Sequence, residues 1–129
     1  MPRRAYTVRT VALAIDVPAK WVDNLLSHHR LIGVAQSRQG VGRVISDEGV
    51  LAIQLVRLLA DLGIGTARAA AIASQTLASR TSGEARFVDE SGIELLFHIG
   101  TVERRLRERM VDALDAVPRV RRGRPPRAQ

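Results

Sequence analysis

Apolar positions first recur at helical spacing in "VRTVALAI". Val8, Val11, Ala12 and Ile15 share a face there, and Thr7 stands just before them as an N-cap. Asp16 tolerates a turn geometry, and Pro18 pre-sets the first turn of a second helix. That helix is predicted from about Ala19 to His29, with Val22, Leu25 and Leu26 inward. The pattern then changes. Val34 to Arg38 and Arg43 to Ile45 read as short strands around Gln39-Gly40-Val41-Gly42, whose glycines permit a tight reversal. Ser46 next caps a longer helix with a broad apolar face of Val50, Ile53, Leu55, Val56, Leu58, Leu59 and Leu62. Gly63 and Gly65 punctuate its end. From Thr66 the alanine-rich "ARAAAIASQTLASR" predicts another helix, broken at Thr81-Ser82-Gly83.

The stretch 84–99 admits two readings. Asp89-Glu90-Ser91-Gly92 is turn chemistry between Phe87-Val88 and Ile93 to Ile99, which favours a β-hairpin. Ser91 with Glu94 also fits the capping box of a helix. From Thr101, "VERRLRERMVDALDAV" sets Val102, Leu106, Met110, Ala113, Leu114 and Val117 on one side and charges on the other, until Pro118 ends it. The class implied is mainly α with small β-hairpins. Two short helices followed by two strands with a basic tip make a winged helix-turn-helix, and a C-terminal hairpin and helix follow. Three segments result: 1–80 as the winged unit, 81–118 as a dimerisation or packing subdomain, and 119–129 as a disordered basic tail.

Composition narrows the functions. The 129 residues suit one small domain, and 46% apolar residues with only 3% aromatics leave its core to Leu, Val, Ile and Ala. Absence of cysteine excludes disulfides and thiolate metal sites. No apolar run approaches the roughly 18 residues of a spanning helix, and no signal-peptide core leads the chain. A soluble, cytoplasmic and nucleoid-associated protein is expected, without a membrane partner. Nothing resembles a phosphate loop, a nucleophile elbow or convergent carboxylates, so neither catalysis nor a cofactor is expected. His28 and His29 point about 100° apart on a helix with no third ligand, so no metal is expected. His98 reads as a surface or packed residue, and Asp47-Glu48 as charge facing a helix dipole.

Charge then turns attention to a polyanion. The net charge of +7 divides into +5 for residues 1–46, −3 for 47–118 and +5 for 119–129. Base-rich ends around an acidic middle are the footprint of a nucleic-acid binder. GC-rich coding accounts for Lys20 being the only lysine among twenty basic residues, but not for acids avoiding both ends.

The order helix, turn, helix, wing, long helix, "DLG" and helix, over roughly Tyr6 to Leu77, resembles the DNA-binding domain of the MerR family of bacterial transcription regulators. "YTVRTVALA" matches the family's Thr-capped first helix. Arg43, Ser46, Asp47 and Glu48 match the arginine, serine and acidic pair at its second wing strand, and Asp61, Leu62 and Gly63 match its "DLG". The resemblance implies a transcriptional regulator that reads double-stranded DNA. The family's arginine and two aromatics on the second helix are here Asp23, Asn24 and Leu25, and its metal-sensing cysteines are missing. An acid at position 23 would repel the DNA backbone.

Candidate contacts follow from residue chemistry. Arg38, Gln39 and Arg43 on the wing can donate to phosphates or base edges, against the alternative of a solvated hairpin tip. Lys20, Asn24, Ser27 and His28 share the outward side of the second helix, and Arg9 on the first joins the set. Trp21 is read as a core anchor. Val102, Leu106, Met110 and Leu114 are the expected homodimer seam, unless that face merely covers the hairpin of its own chain. In the tail, Arg122-Gly123-Arg124-Pro125 resembles the core of an AT-hook, which lies in a narrow minor groove; a plain polycation is the competing reading. Two other functions stay open. One is an architectural, excisionase-like DNA binder. The other is an antitoxin-like or polymerase-associated adaptor with a protein partner such as RNA polymerase, for which Asp23 needs no explanation.

Overall fold

The structure, a computed structural model, describes residues 5–35, 43–81 and 83–116. These form a mainly helical protein with small antiparallel sheets. In chain order they are β1 (Ala5–Tyr6), α1 (Val8–Ile15), α2 (Ala19–His28), β2 (Val34–Ala35), β3 (Val44–Ser46), α3 (Asp47–Asp61), α4 (Thr66–Ala78), β4 (Ala85–Val88), β5 (Glu94–Phe97) and α5 (Ile99–Ala116).

The short α1 sits at the centre. Thr7 caps it as expected, its hydroxyl accepting from the Thr10 amide at 3.2 Å, and Val11 and Ile15 are fully buried. Asp16 ends it in the left-handed conformation at φ 60. The carbonyls exposed at that end are met by two arginines from far along the chain. Arg57 of α3 donates to the Ile15 carbonyl, and Arg109 of α5 to the Ala14 carbonyl at 3.4 Å. Both guanidiniums also sit at the negative end of the helix dipole. Three helices are thereby fastened at one point.

β3 is the middle strand of the first sheet, in the order β1-β3-β2. Fully buried Ile45 lies opposite both Tyr6 and Val34. β1 is a strand that hydrophobic periodicity does not predict, because two residues are too few to show alternation. The first strand, expected to run from Val34 to Arg38, is described only at Val34–Ala35, its remainder lying outside the described residues, and the second begins at Val44 and ends at Ser46, one residue later than expected. Ser46 caps α3 and also bridges backward. Its hydroxyl donates to the Gly33 carbonyl at 2.8 Å and accepts from the Gly49 amide at 3.2 Å. Gly33, at φ +82, and Gly49 meet backbone to backbone: a Cβ on Gly49 would lie 2.5 Å from the Gly33 oxygen.

α3 packs against α4 through a wide apolar face. Val50, Ile53, Leu55, Val56 and Leu59 are buried as expected, whereas Leu58 and Leu62 are not. Leu62, at 76% exposure, caps the C-terminal end of the helix. The 84–99 stretch is a hairpin. Asp89 accepts from the amides of Ser91 and Ile93 and from the Ser91 hydroxyl, closing the turn between β4 and β5. Ser91 is therefore committed to the turn and caps no helix. α5 starts at Ile99, two residues before the expected start, and packs on α1 and α3. Its apolar stripe faces those helices more than the hairpin.

Candidate nucleic-acid interface

α2 divides cleanly. Val22, Leu25 and Leu26 are buried, whereas Lys20, Asp23, Asn24, Ser27 and His28 are exposed. At about 100° per residue, Lys20 lies near the middle of that face, Asp23 and Ser27 to one side, Asn24 and His28 to the other. The structure thus brings Lys20, Asn24, Ser27 and His28 together on one surface, as their spacing implies. His28 turns back, its Nδ1 lying 2.8 Å from the Asn24 carbonyl oxygen. Trp21 is half-buried against the core beside that flank, and shares a hollow with Asn24, His28, His29 and Thr66. It is an anchor with one accessible edge.

The Asp23 side of the helix meets the sheet. Arg43, immediately before β3, directs Nη1 to the Asp23 carboxylate at 3.2 Å and donates from Nη2 to the Ser27 hydroxyl at 2.9 Å. Its side chain is 22% exposed, against 52% for Asp23. The arginine expected to reach for phosphate is therefore held against α2. Asp23, which looked misplaced in a DNA-reading helix, has a cation beside it. Spacing could have signalled half of this, since Asp23 and Ser27 are four residues apart and share a helical edge. The partner sixteen residues beyond Ser27 depends on how the sheet packs.

Arg9 is exposed on the first turn of α1, and neither it nor Lys20 makes an ion pair among the described residues. Arg38 and Gln39, and the tail residues Arg122, Gly123, Arg124 and Pro125, lie outside the described residues. The four seam residues fall differently. Leu106 and Met110 are buried within the chain at 5% and 6% exposure, and Val102 packs against the same core. Leu114 is exposed at 41%. Leu106 and Met110 are thus already packed within their own chain, and of the four Leu114 presents the most exposed surface.

An open groove runs between α3 and α5, with Leu51, Leu106, Met110, Val111 and Leu114 on its apolar walls. At its polar end the Tyr6 hydroxyl donates to Asp47 at 2.8 Å. Among the described residues no group of three or more His, Cys, Asp or Glu side chains could hold a metal ion. None of the described helices is long and apolar enough to cross a membrane. The Ser91 hydroxyl first, then the Ile93 amide, hold the Asp89 carboxyl below the usual value, aided by Arg68 at 3.0 Å. No family model matches this chain, and no curated protein matches it either.

Proposed function

We propose that this chain is a winged helix-turn-helix protein of MerR-like type that binds double-stranded DNA and regulates transcription without an enzymatic activity. The observation that carries the reading is the outward face of α2. Lys20, Asn24, Ser27 and His28 are presented together on a helix whose other side is buried and whose flank is braced to the base of the wing. Helix and strand then meet the duplex as one body. α2 enters the major groove, where Asn24 can pair with adenine and Lys20 with guanine or phosphate. The sheet flanks the backbone and Arg9 adds a phosphate contact. The basic tail supplies a minor-groove or phosphate contact beyond the domain. Cytoplasmic, nucleoid-associated localisation follows from that use. A homodimer on a two-fold site would use surface other than Leu106 and Met110.

Titrating the protein with duplex DNA at several salt concentrations tests the reading. Affinity should fall steeply and linearly in a log–log plot as phosphate contacts release counterions. Absence of duplex binding at low salt would refute it. A second reading, an adaptor that binds another protein, is favoured by the exposed apolar side chains Val88, Ile93 and Leu96 on the hairpin. That reading expects only weak, sequence-blind binding to polyanions.

A further inference from the structure

Asp23 lies on the α2 face proposed to meet DNA, and nothing in its position hides it. Its carboxylate is half-exposed and 3.2 Å from Arg43 Nη1, while Nη2 of the same guanidinium is 2.9 Å from Ser27 Oγ. Both terminal nitrogens of the fork thus point into α2. Phosphate and carboxylate ask for the same planar, two-nitrogen donor, so Asp23 and the DNA backbone compete for one arginine. The competition is open, because an exposed ion pair of this kind is weak and is screened by salt. Asp23 also carries its own negative charge toward the duplex.

We propose that Asp23 is a specificity-determining residue of the DNA-contact face. It withholds Arg43 from phosphate and repels the backbone, so that α2 settles only on duplexes whose base edges satisfy Lys20, Asn24 and His28. Discrimination gained by penalising the wrong partner needs such a repulsive element beside the attractive ones. The arrangement supplies both from one pair of side chains. Ser27 completes the clasp by fixing the second nitrogen, so the guanidinium is oriented as well as neutralised. This inference rests on the DNA-binding reading.

The experiment compares wild type with Asp23→Asn and Asp23→Glu on two probes, a random-sequence duplex and a duplex enriched from a random pool by repeated binding to the wild-type protein. Asparagine keeps the shape and removes the charge. Asp23→Asn should bind random duplex about tenfold more tightly at low salt, with a log–log salt slope steeper by about one phosphate contact. Affinity for the enriched duplex should rise less, so the ratio between the two probes falls. Asp23→Glu retains the charge and should keep both the slope and the ratio near wild type. A merely structural role for Asp23 would change unfolding midpoints without moving the slope. Wild type that binds enriched duplex, with a folded Asp23→Asn of unchanged slope and ratio, overturns the proposal alone. Equal changes in Asp23→Asn and Asp23→Glu overturn it too, because charge would not be the cause. No duplex binding by wild type at low salt overturns the DNA-binding reading together with it.

Discussion

Replacing Gly49 with alanine puts a methyl group where α3 touches the turn after α2. The new Cβ would lie 2.5 Å from the Gly33 carbonyl oxygen and 3.0 Å from Ile45 Cγ2. Carbon and oxygen rest comfortably at about 3.3 Å or more, so the two backbones must separate by roughly 0.8 Å. Gly33 has little freedom to retreat. Its carbonyl accepts the Ser46 amide at 2.9 Å and the Ser46 hydroxyl at 2.8 Å, and φ +82 suits glycine alone. Overpacking of this kind costs about 1–3 kcal/mol. A stretched hydrogen bond adds about 1 kcal/mol. Against these, alanine is better than glycine in a helix by up to about 1 kcal/mol. The clash wins, with a net loss of about 2 kcal/mol. Urea unfolding should show a lower midpoint at unchanged slope. Gly100→Ala is the control: near the start of α5 its methyl would meet, among the described residues, only Gly83, at 3.9 Å, so stability should hold or rise by a few tenths of a kcal/mol. A Gly49→Ala protein as stable as wild type would show that the close approach of the two glycines constrains nothing.

Asp89 predicts a pH dependence. Its carboxyl is held below the ordinary value in the folded state, so its contribution is fully present above the unfolded value of about 3.9 and is lost as pH falls through the lower folded value. Asp89→Asn should flatten stability against pH below about 4 while leaving the slope near neutrality alone; an unaltered acid limb would refute the assignment. Leu106→Ala should cost about 2–5 kcal/mol at any protein concentration, because its side chain is buried within one chain, whereas Leu114→Lys should be nearly neutral. A concentration-dependent unfolding midpoint, abolished by Leu106→Ala, would instead restore the dimer seam. For the tail, Gly123→Ala leaves charge unchanged and should weaken binding only where AT-rich sequence flanks the site. Equal binding by wild type and Gly123→Ala on both AT-rich and GC-rich flanks, with a loss only on truncation after Pro118, would leave a plain polycation.

The helices were legible because each announces itself locally. Thr7 and Ser46 are caps whose side chains accept the expected amides, and Val22, Leu25 and Leu26 fall on one side by spacing alone. The hairpin was legible for the same reason, since Asp89 and Ser91 make their hydrogen bonds within five residues of chain. What escaped is what depends on distant partners. Arg109 reads as one of the charges opposite an apolar stripe and Arg57 gives no local signal, because their attachment to the end of α1 spans sequence separations of 95 and 42. Gly33 and Gly49 are ordinary punctuation until α3 is laid against the turn. Leu106 and Met110 show why an apolar stripe does not name its partner: the periodicity that predicts a seam between chains also describes a helix closing its own core.

The candidate site divides the same way, and the division bears on how such faces should be read. Exposure of Lys20, Asn24, Ser27 and His28 follows from helical period, so a list of outward polar residues comes from the sequence almost without loss. Their electrostatics does not follow, because a charge is defined by its neighbours. Counted alone, Arg43 adds to a basic wing and Asp23 subtracts from a reading helix. Placed 3.2 Å apart they nearly cancel at long range, yet each still bears on a phosphate arriving at close range. On the proposed DNA-binding reading, net charge would therefore be a poor guide to attraction at Asp23 and Arg43, the residues proposed to set selectivity. The useful quantity is which cations are already engaged. Among the described residues Lys20 and Arg9 make no ion pair, whereas Arg43 is held by Asp23. If the chain binds duplex DNA as proposed, general affinity should follow Lys20 and Arg9, and discrimination Arg43.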